Sequence, residues 1–161
     1  MIPFNIPPVV GSELSYIGQV IHNRKRSGDG EFTKKCSQWI EQKTATKRAL
    51  LTTSGTHALE MSALLCNFEP GDEVILPSFT FSSTANAFII AGAKLIFVDI
   101  RPDTTNFDEA QVEAALTPST KAIRVVPDAG ISCEMDVIMD IAVRHGLWVI
   151  QDATQVTMSH S

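Results

Sequence analysis

The stretch Leu147-Trp148-Val149-Ile150-Gln151-Asp152-Ala153-Thr154-Gln155 decides the fold class. It is an apolar run that ends abruptly at an acid, a pattern typical of a buried β-strand that leads into a loop. In open α/β sheets, ligands bind in the crevice outside the carboxyl ends of the strands. We therefore expect the Asp152 side chain to lie at a ligand crevice. An ordinary helix N-cap is the alternative role for this acid.

A second stretch, far upstream, has the residues of a phosphate-binding turn. The apolar pair Leu50-Leu51 is followed by Thr52-Thr53-Ser54-Gly55-Thr56 and then by a predicted helix. Backbone N–H groups and a hydroxyl at a helix N-terminus bind phosphate well. Ser and Thr are also the usual N-cap residues, so the pattern taken alone fits an ordinary cap at least as well.

Aromatic and amide side chains near the predicted strand ends complete a candidate site. Phe81, in Pro77-Ser78-Phe79-Thr80-Phe81, follows a strand and could stack on a flat ring, although a core aromatic is the simpler interpretation. Asp152 could accept a hydrogen bond from a pyridinium nitrogen, and Gln155 could contact a ring hydroxyl. Together these residues favour a phosphorylated cofactor with a cationic ring.

The composition indicates a cytoplasmic globular protein. Of 161 residues, 44% are hydrophobic and 19% charged, and the net charge of −5 argues against a nucleic-acid partner. The three cysteines have no zinc or disulfide spacing, and no metal site is expected. The N-terminus lacks the order of a signal peptide, and no apolar run is long enough to span a membrane.

The order of predicted elements gives the fold class. Two amphipathic helices, at 13–23 and 32–43, are predicted to place apolar stripes against a core. Downstream, strands are predicted at 49–52, 73–76, 94–98, 122–126 and 148–151, and helices at 56–66, 82–91, 108–116 and 134–145. Alternation of this kind predicts a mostly parallel α/β sheet covered by helices. We divide the chain into an N-terminal arm with its helices, 1–47, and a large-domain segment, 48–161.

Taken together, these motifs resemble the DegT/DnrJ/EryC1/StrS family of sugar-nucleotide aminotransferases. The resemblance runs from Ile2-Pro3-Phe4-Asn5 to the end of the chain. It is carried by Gly28-Asp29-Gly30, Thr53-Ser54-Gly55-Thr56, Pro70-Gly71-Asp72-Glu73-Val74-Ile75, Pro77-Ser78-Phe79-Thr80-Phe81, Ala91-Gly92-Ala93, Phe97-Val98-Asp99 and Asp152-Ala153-Thr154-Gln155. It implies the fold-type-I transferase large domain, a three-layer α/β/α structure, and pyridoxal 5′-phosphate (PLP) as cofactor.

The resemblance also implies a reaction and partners. Ser83-Thr84-Ala85-Asn86-Ala87-Phe88 and Ala129-Gly130-Ile131-Ser132-Cys133-Glu134-Met135-Asp136 are similar to a subgroup that moves an amino group from L-glutamate to a dTDP-4-keto-6-deoxyhexose, for surface polysaccharide synthesis. Full-length members are expected to be homodimers.

Each candidate residue takes a role from the resemblance. Gly55, Thr56 and the backbone N–H of His57 would bind the cofactor phosphate. Phe81 would stack on the ring, Asp152 would keep the ring nitrogen protonated, and Gln155 would contact the ring hydroxyl.

The sequence also departs from the family pattern. Pro127-Asp128 replaces a usual His-Tyr pair, and Gln151 replaces a usual acid. The family's Schiff-base lysine would lie beyond Ser161, so we expect an N-terminal fragment that is inactive alone. A remnant that binds PLP or a full-length subunit is the alternative. An unrelated nucleotide-binding domain is disfavoured, because the first predicted strand is not followed by Gly-x-Gly-x-x-Gly.

Overall fold

A computed structural model describes residues 2–3, 6–127 and 131–154. The chain forms two compact units, Met1–Leu51 and Thr52–Ser161. The first unit contains helices α1 (Glu13–His22) and α2 (Glu31–Thr44). The Tyr16 and Phe32 rings meet edge to face, with centroids 5.4 Å apart.

The apolar stripes of these two helices are not core faces, contrary to the sequence-based expectation. Neither helix buries any of its residues, all of which the structure describes. Leu14, Ile17 and Trp39 are each more than half exposed. Because two short helices have too little surface to cover both stripes, the periodic pattern correctly predicts helices but not burial.

The second unit is an α/β sheet with helices on both faces, as the sequence predicts. Its elements are α3 (Gly55–Leu65), β1 (Glu73–Pro77), α4 (Ser82–Ile90), β2 (Lys94–Val98), α5 (Glu109–Ala115), β3 (Thr120–Val125), α6 (Met135–His145) and β4 (Trp148–Gln151). The four strands are parallel and lie in the order β2-β1-β3-β4. The strand predicted at 49–52 is wrong: that segment has no strand pairing within the described residues, and Leu50 and Leu51 are exposed.

The core has one cluster on each face of the sheet. On one face, Val74 and Ala122 pack with Ala63 of α3 and Phe88 of α4. On the other face, the side chains come from β1, β3, α5 and α6; they include Ile75, Ile123, Val112, Ile138 and Ile141. This three-layer arrangement follows from the central strands, whose near-continuous apolar runs must be covered on both sides.

Candidate functional site

A cavity of about 580 Å³ lies at the carboxyl ends of the strands. Its walls come from the turn after β1, the end of β3, the end of β4 and the start of α3. Gly55, Thr56, Phe81 and Asp152 all line it. The structure therefore brings together four of the six residues singled out from the sequence.

The connections of the sheet explain why the cavity forms here. From β1 the chain crosses to β2 on one side, and from β3 it crosses to β4 on the other. The loops after β1 and β3 therefore diverge and leave a crevice between them. Such a switch point is where open α/β sheets bind ligands.

The start of α3 presents free backbone donors to the cavity. Ser54 is the N-cap: its hydroxyl accepts the His57 N–H at 3.2 Å, and its carbonyl accepts the Ala58 N–H at 3.1 Å. The N–H groups of Gly55 and Thr56 have no acceptor among the described residues. The sequence left two interpretations of this turn, a helix N-cap and an anion-binding site. Because Ser54 caps the helix while two N–H groups stay unbonded, the two roles are compatible.

His57 contributes to the cap of α3. Within the part of the chain that the structure describes, the cavity wall does not include it. Its Nδ1 lies 2.5 Å from the Thr53 hydroxyl oxygen, and its backbone N–H is already donated to Ser54.

Phe81 is a surface aromatic, so the core-aromatic interpretation of this residue is wrong. Its side chain is 76% exposed at the position before α4. Its carbonyl accepts the Thr84 N–H at 3.0 Å, which holds the backbone at the helix start. The turn after β1 leads directly into α4, and Phe81 lies at that junction, where its ring lines the cavity and is open to solvent.

Asp152 directly follows β4, and both of its carboxylate oxygens have partners. Oδ2 lies 2.8 Å from Nη2 of Arg124, on the neighbouring strand β3. Oδ1 accepts from the backbone N–H of Thr154 at 3.2 Å and from the Thr154 hydroxyl. The Asp152 side chain is 12% exposed and the Arg124 side chain 1%.

Arg124 is the buried charged neighbour of Asp152 that sequence reasoning missed. The available indication was a single cation inside the apolar run 122–126 of a predicted central strand. Its guanidinium lies 6.0 Å from the centre of the Phe88 ring. Nε and Nη2 have no hydrogen bond of normal geometry to any described residue, so the 2.8 Å approach to Asp152 is a charge contact. Burial lowers the pKa of Arg124, and the Asp152 charge opposes that effect.

Gln155 and Asp128 lie outside the described residues. The residues that the structure describes contain no group of His, Cys, Asp and Glu side chains suited to a metal ion. None of the described helices is long and apolar enough to cross a membrane.

The profile of the DegT/DnrJ/EryC1/StrS aminotransferase family matches residues 10–160. The chain belongs to this family. This membership agrees with the α/β fold and with the resemblance found in the motifs. It also places the cavity in a fold used by aminotransferases.

Three other proteins are similar to this chain in sequence or in fold. GDP-perosamine synthase of Caulobacter vibrioides is 37% identical over 149 residues, which are 92% of this chain and 40% of the relative. The crystal structure of 3-amino-5-hydroxybenzoic acid synthase has a TM-score of 0.88 and 32% identity, over 94% of this chain and 40% of that one. NtdA of Bacillus subtilis, solved with its cofactor PMP, has a TM-score of 0.84 and 35% identity, over 89% of this chain and 33% of that one. The chain thus spans about 40% of the length of the curated relative.

Proposed function

We propose that the cavity is the N-terminal part of a PLP site in a sugar-nucleotide aminotransferase. The observation that carries the proposal is one cavity that joins free N–H groups of a helix start, an exposed aromatic ring and a carboxylate. These three groups are suited to bind the phosphate, the flat face and the ring nitrogen of a phosphorylated, nitrogen-containing ring. NtdA, a relative of similar fold, was solved with PMP.

The start of α3 would hold the phosphate. The N–H groups of Gly55 and Thr56 and the Thr56 hydroxyl are available as donors, and the helix dipole favours an anion there. The N–H of His57 would join them only by leaving the Ser54 hydroxyl, its present acceptor.

Phe81 and Asp152 would orient the ring. The Phe81 side chain offers a flat face at the cavity wall, and Asp152 stands at the end of β4 in the same cavity. When bound, PLP would carry the amino group between the two substrates. Gln155 stays a prediction for the contact with the ring hydroxyl.

L-glutamate and a dTDP-4-keto-6-deoxyhexose are the substrates we propose for the whole protein, a cytoplasmic homodimer. The support is the subgroup resemblance at residues 83–88 and 129–136. A relative named GDP-perosamine synthase supports the broader class of nucleotide-sugar substrates.

These 161 residues alone would bind the cofactor without turning over substrate. No lysine is among the described residues that line the cavity. The alternative, a non-catalytic chain that binds PLP or a full-length subunit, rests on the same observation. Both predict that these residues alone give no turnover of glutamate and keto sugar above a cofactor-only background, and turnover above that background would contradict both.

The test of the binding site is a titration of the full chain with PMP, which lacks the aldehyde that reacts with surface lysines. Thr56→Val removes one hydroxyl donor to the phosphate and should weaken binding about ten- to a hundredfold, because a hydrogen bond to a charged group contributes about 1.5–3 kcal/mol. Thr33→Val, in the first turn of α2, is the matched control. Equal dissociation constants for the two variants would contradict the proposal.

A further inference from the structure

The turn that carries Phe81 is held by hydrogen bonds at both of its ends. It spans residues 78–81, between β1 and α4. At its start, the Ser78 N–H donates to the Val98 carbonyl at 2.8 Å, and the Ser78 hydroxyl donates to Oδ1 of Asp99 at 3.3 Å. At its end, the anchor is Thr84, in the first turn of α4.

Thr84 makes two hydrogen bonds that reach back into this turn. Its hydroxyl oxygen accepts a hydrogen bond from the Thr80 hydroxyl at 3.1 Å. Its backbone N–H donates to the carbonyl of Phe81 at 3.0 Å. Thr84 is fully buried, whereas the ring of Phe81 is exposed. A residue that is fixed by the core therefore holds the backbone of a residue whose own side chain has little packing around it.

We propose that Thr84 is a positioning residue for the ring of the cofactor: through its hydrogen bond with Thr80, it holds the turn after β1 so that Phe81 presents its ring to the cavity. This inference deepens the proposed function and rests on it. Thr84 acts through Phe81, and its own contact with the ligand is not what gives the effect.

The residue at the N-cap of α4 explains why the helix start needs this bond. Phe81 occupies the N-cap position and makes no side-chain capping bond, since an aromatic ring offers no acceptor of the kind that Ser, Thr, Asp or Asn provides. Helix ends without a cap fray easily. The hydrogen bond between Thr80 and Thr84 joins the turn to the first turn of the helix, and so supplies the link that an N-cap side chain would otherwise make.

A turn that is fixed before the ligand arrives binds it more tightly. Ordering a loop on binding costs conformational entropy, and a pre-organised loop avoids that cost. Without the hydrogen bond between Thr80 and Thr84, the turn would have more conformations in which the Phe81 ring points away from the cavity. One intramolecular hydrogen bond corresponds to about two- to tenfold in an equilibrium constant, which sets the size of the expected effect. Because the effect passes through the ring, it cannot exceed the effect of removing the ring.

The test is a double-mutant cycle on the full chain, with PMP as the ligand. Thr84→Val removes the hydroxyl and keeps the shape of the side chain, and it should weaken PMP binding about two- to tenfold. Thr84→Ser keeps the hydroxyl and should bind PMP as the unsubstituted chain does. Combined with Phe81→Ala, Thr84→Val should cause no further loss of affinity, because the ring through which it acts is gone.

Thr80→Val removes the same hydrogen bond from its donor side, at a partly buried position, and keeps the inference testable if Thr84→Val folds poorly. It should weaken PMP binding to the same degree, and again not when Phe81→Ala is present. Unchanged affinity, or a loss that persists in full without the Phe81 ring, would overturn the inference. If Thr56→Val then still weakens binding, the phosphate site stands and only the role of Thr84 fails. No binding of PMP to the unsubstituted chain would overturn the proposed function and this inference with it.

Discussion

The substitution Asp152→Asn removes the one opposite charge that pairs with the buried Arg124 in the part of the chain that the structure describes. Arg124 has a side chain that is 1% exposed, and its Nη2 lies 2.8 Å from Oδ2 of Asp152. Two unit charges about 4 Å apart attract by about 4 kcal/mol at an effective dielectric constant of about 20. Breaking a buried pair by removing one partner typically costs about 3–5 kcal/mol. Because the Asp152 side is partly open to the cavity, we expect a loss of about 3 kcal/mol in the free energy of unfolding.

The assay is urea denaturation followed by circular dichroism, with a surface pair as control. Arg144 and Asp140 have a similar separation, 2.9 Å from Nε to Oδ2, but their side chains are 44% and 69% exposed. Asp140→Asn should leave the urea midpoint almost unchanged, since exposed ion pairs contribute little.

Replacing Arg124 should destabilise the fold less than replacing Asp152. Arg124→Met leaves Asp152 without its cation, but Thr154 still donates to that carboxylate, which reaches the cavity, and Met suits the apolar surroundings of the core. The loss should therefore be smaller than for Asp152→Asn. If Asp152→Asn changes the midpoint no more than Asp140→Asn does, the reasoning about this buried pair is refuted.

Three further predictions concern other parts of the chain. Lys94 and Thr117 donate to the Glu73 carboxylate and hold its pKa below the ordinary value of 4.5. The ionised carboxylate therefore stabilises the fold fully above pH 4.5, and this stabilisation is lost on acidification. Glu73→Gln should make the urea midpoint fall less steeply between about pH 6 and pH 3. Phe81→Ala should leave thermal stability unchanged, because the ring is exposed. It should weaken PMP binding about two- to tenfold, as expected for a lost aromatic contact of about 0.5–1.5 kcal/mol. The chain should self-associate in sedimentation velocity through exposed apolar side chains of α3 and α4, and Leu65→Glu with Ile90→Glu should reduce that association.

Each of these predictions has a matched control. Glu134→Gln changes an exposed N-cap that makes no capping hydrogen bond, and it should leave the pH dependence intact. Phe97→Ala alters another exposed ring, on β2, and should not change PMP affinity. Ala110→Glu adds a charge on α5 away from the apolar side chains and should not change association. The opposite result in any control would contradict the corresponding prediction.

The sequence predicts the regular elements of the second unit well, because their patterns are local. The strand at 94–98 and the strand at 148–151 have the predicted bounds, and the other elements of this unit agree within two residues apart from the segment at 49–52. That segment is apolar enough for a strand, but pairing depends on a neighbour, which no local pattern encodes. The apolar stripe of α1 fails for the same reason: periodicity indicates which side chains share a face, not what covers the face.

The candidate site was predictable in its parts but not in its electrostatics. Gly55, Thr56, Phe81 and Asp152 were found because each follows a strand or begins a helix, and strand ends meet at one edge of a parallel sheet. Arg124 was not identified because its contact with Asp152 depends on the register of β3 against β4. In that register Arg124 pairs with Ile150 and so lies beside Asp152. Register is a tertiary property, and a one-residue slip would place the cation on the opposite face.

Amide hydrogen exchange with and without PMP tests the central claim, that the start of α3 binds the cofactor phosphate. The N–H groups of Gly55 and Thr56 have no acceptor among the described residues, so a bound phosphate would give them one and slow their exchange. We predict that saturating PMP slows exchange in a peptide covering 52–59 and leaves one covering 31–38, at the start of α2, unchanged. Protection of both peptides alike, or of neither, would contradict the account.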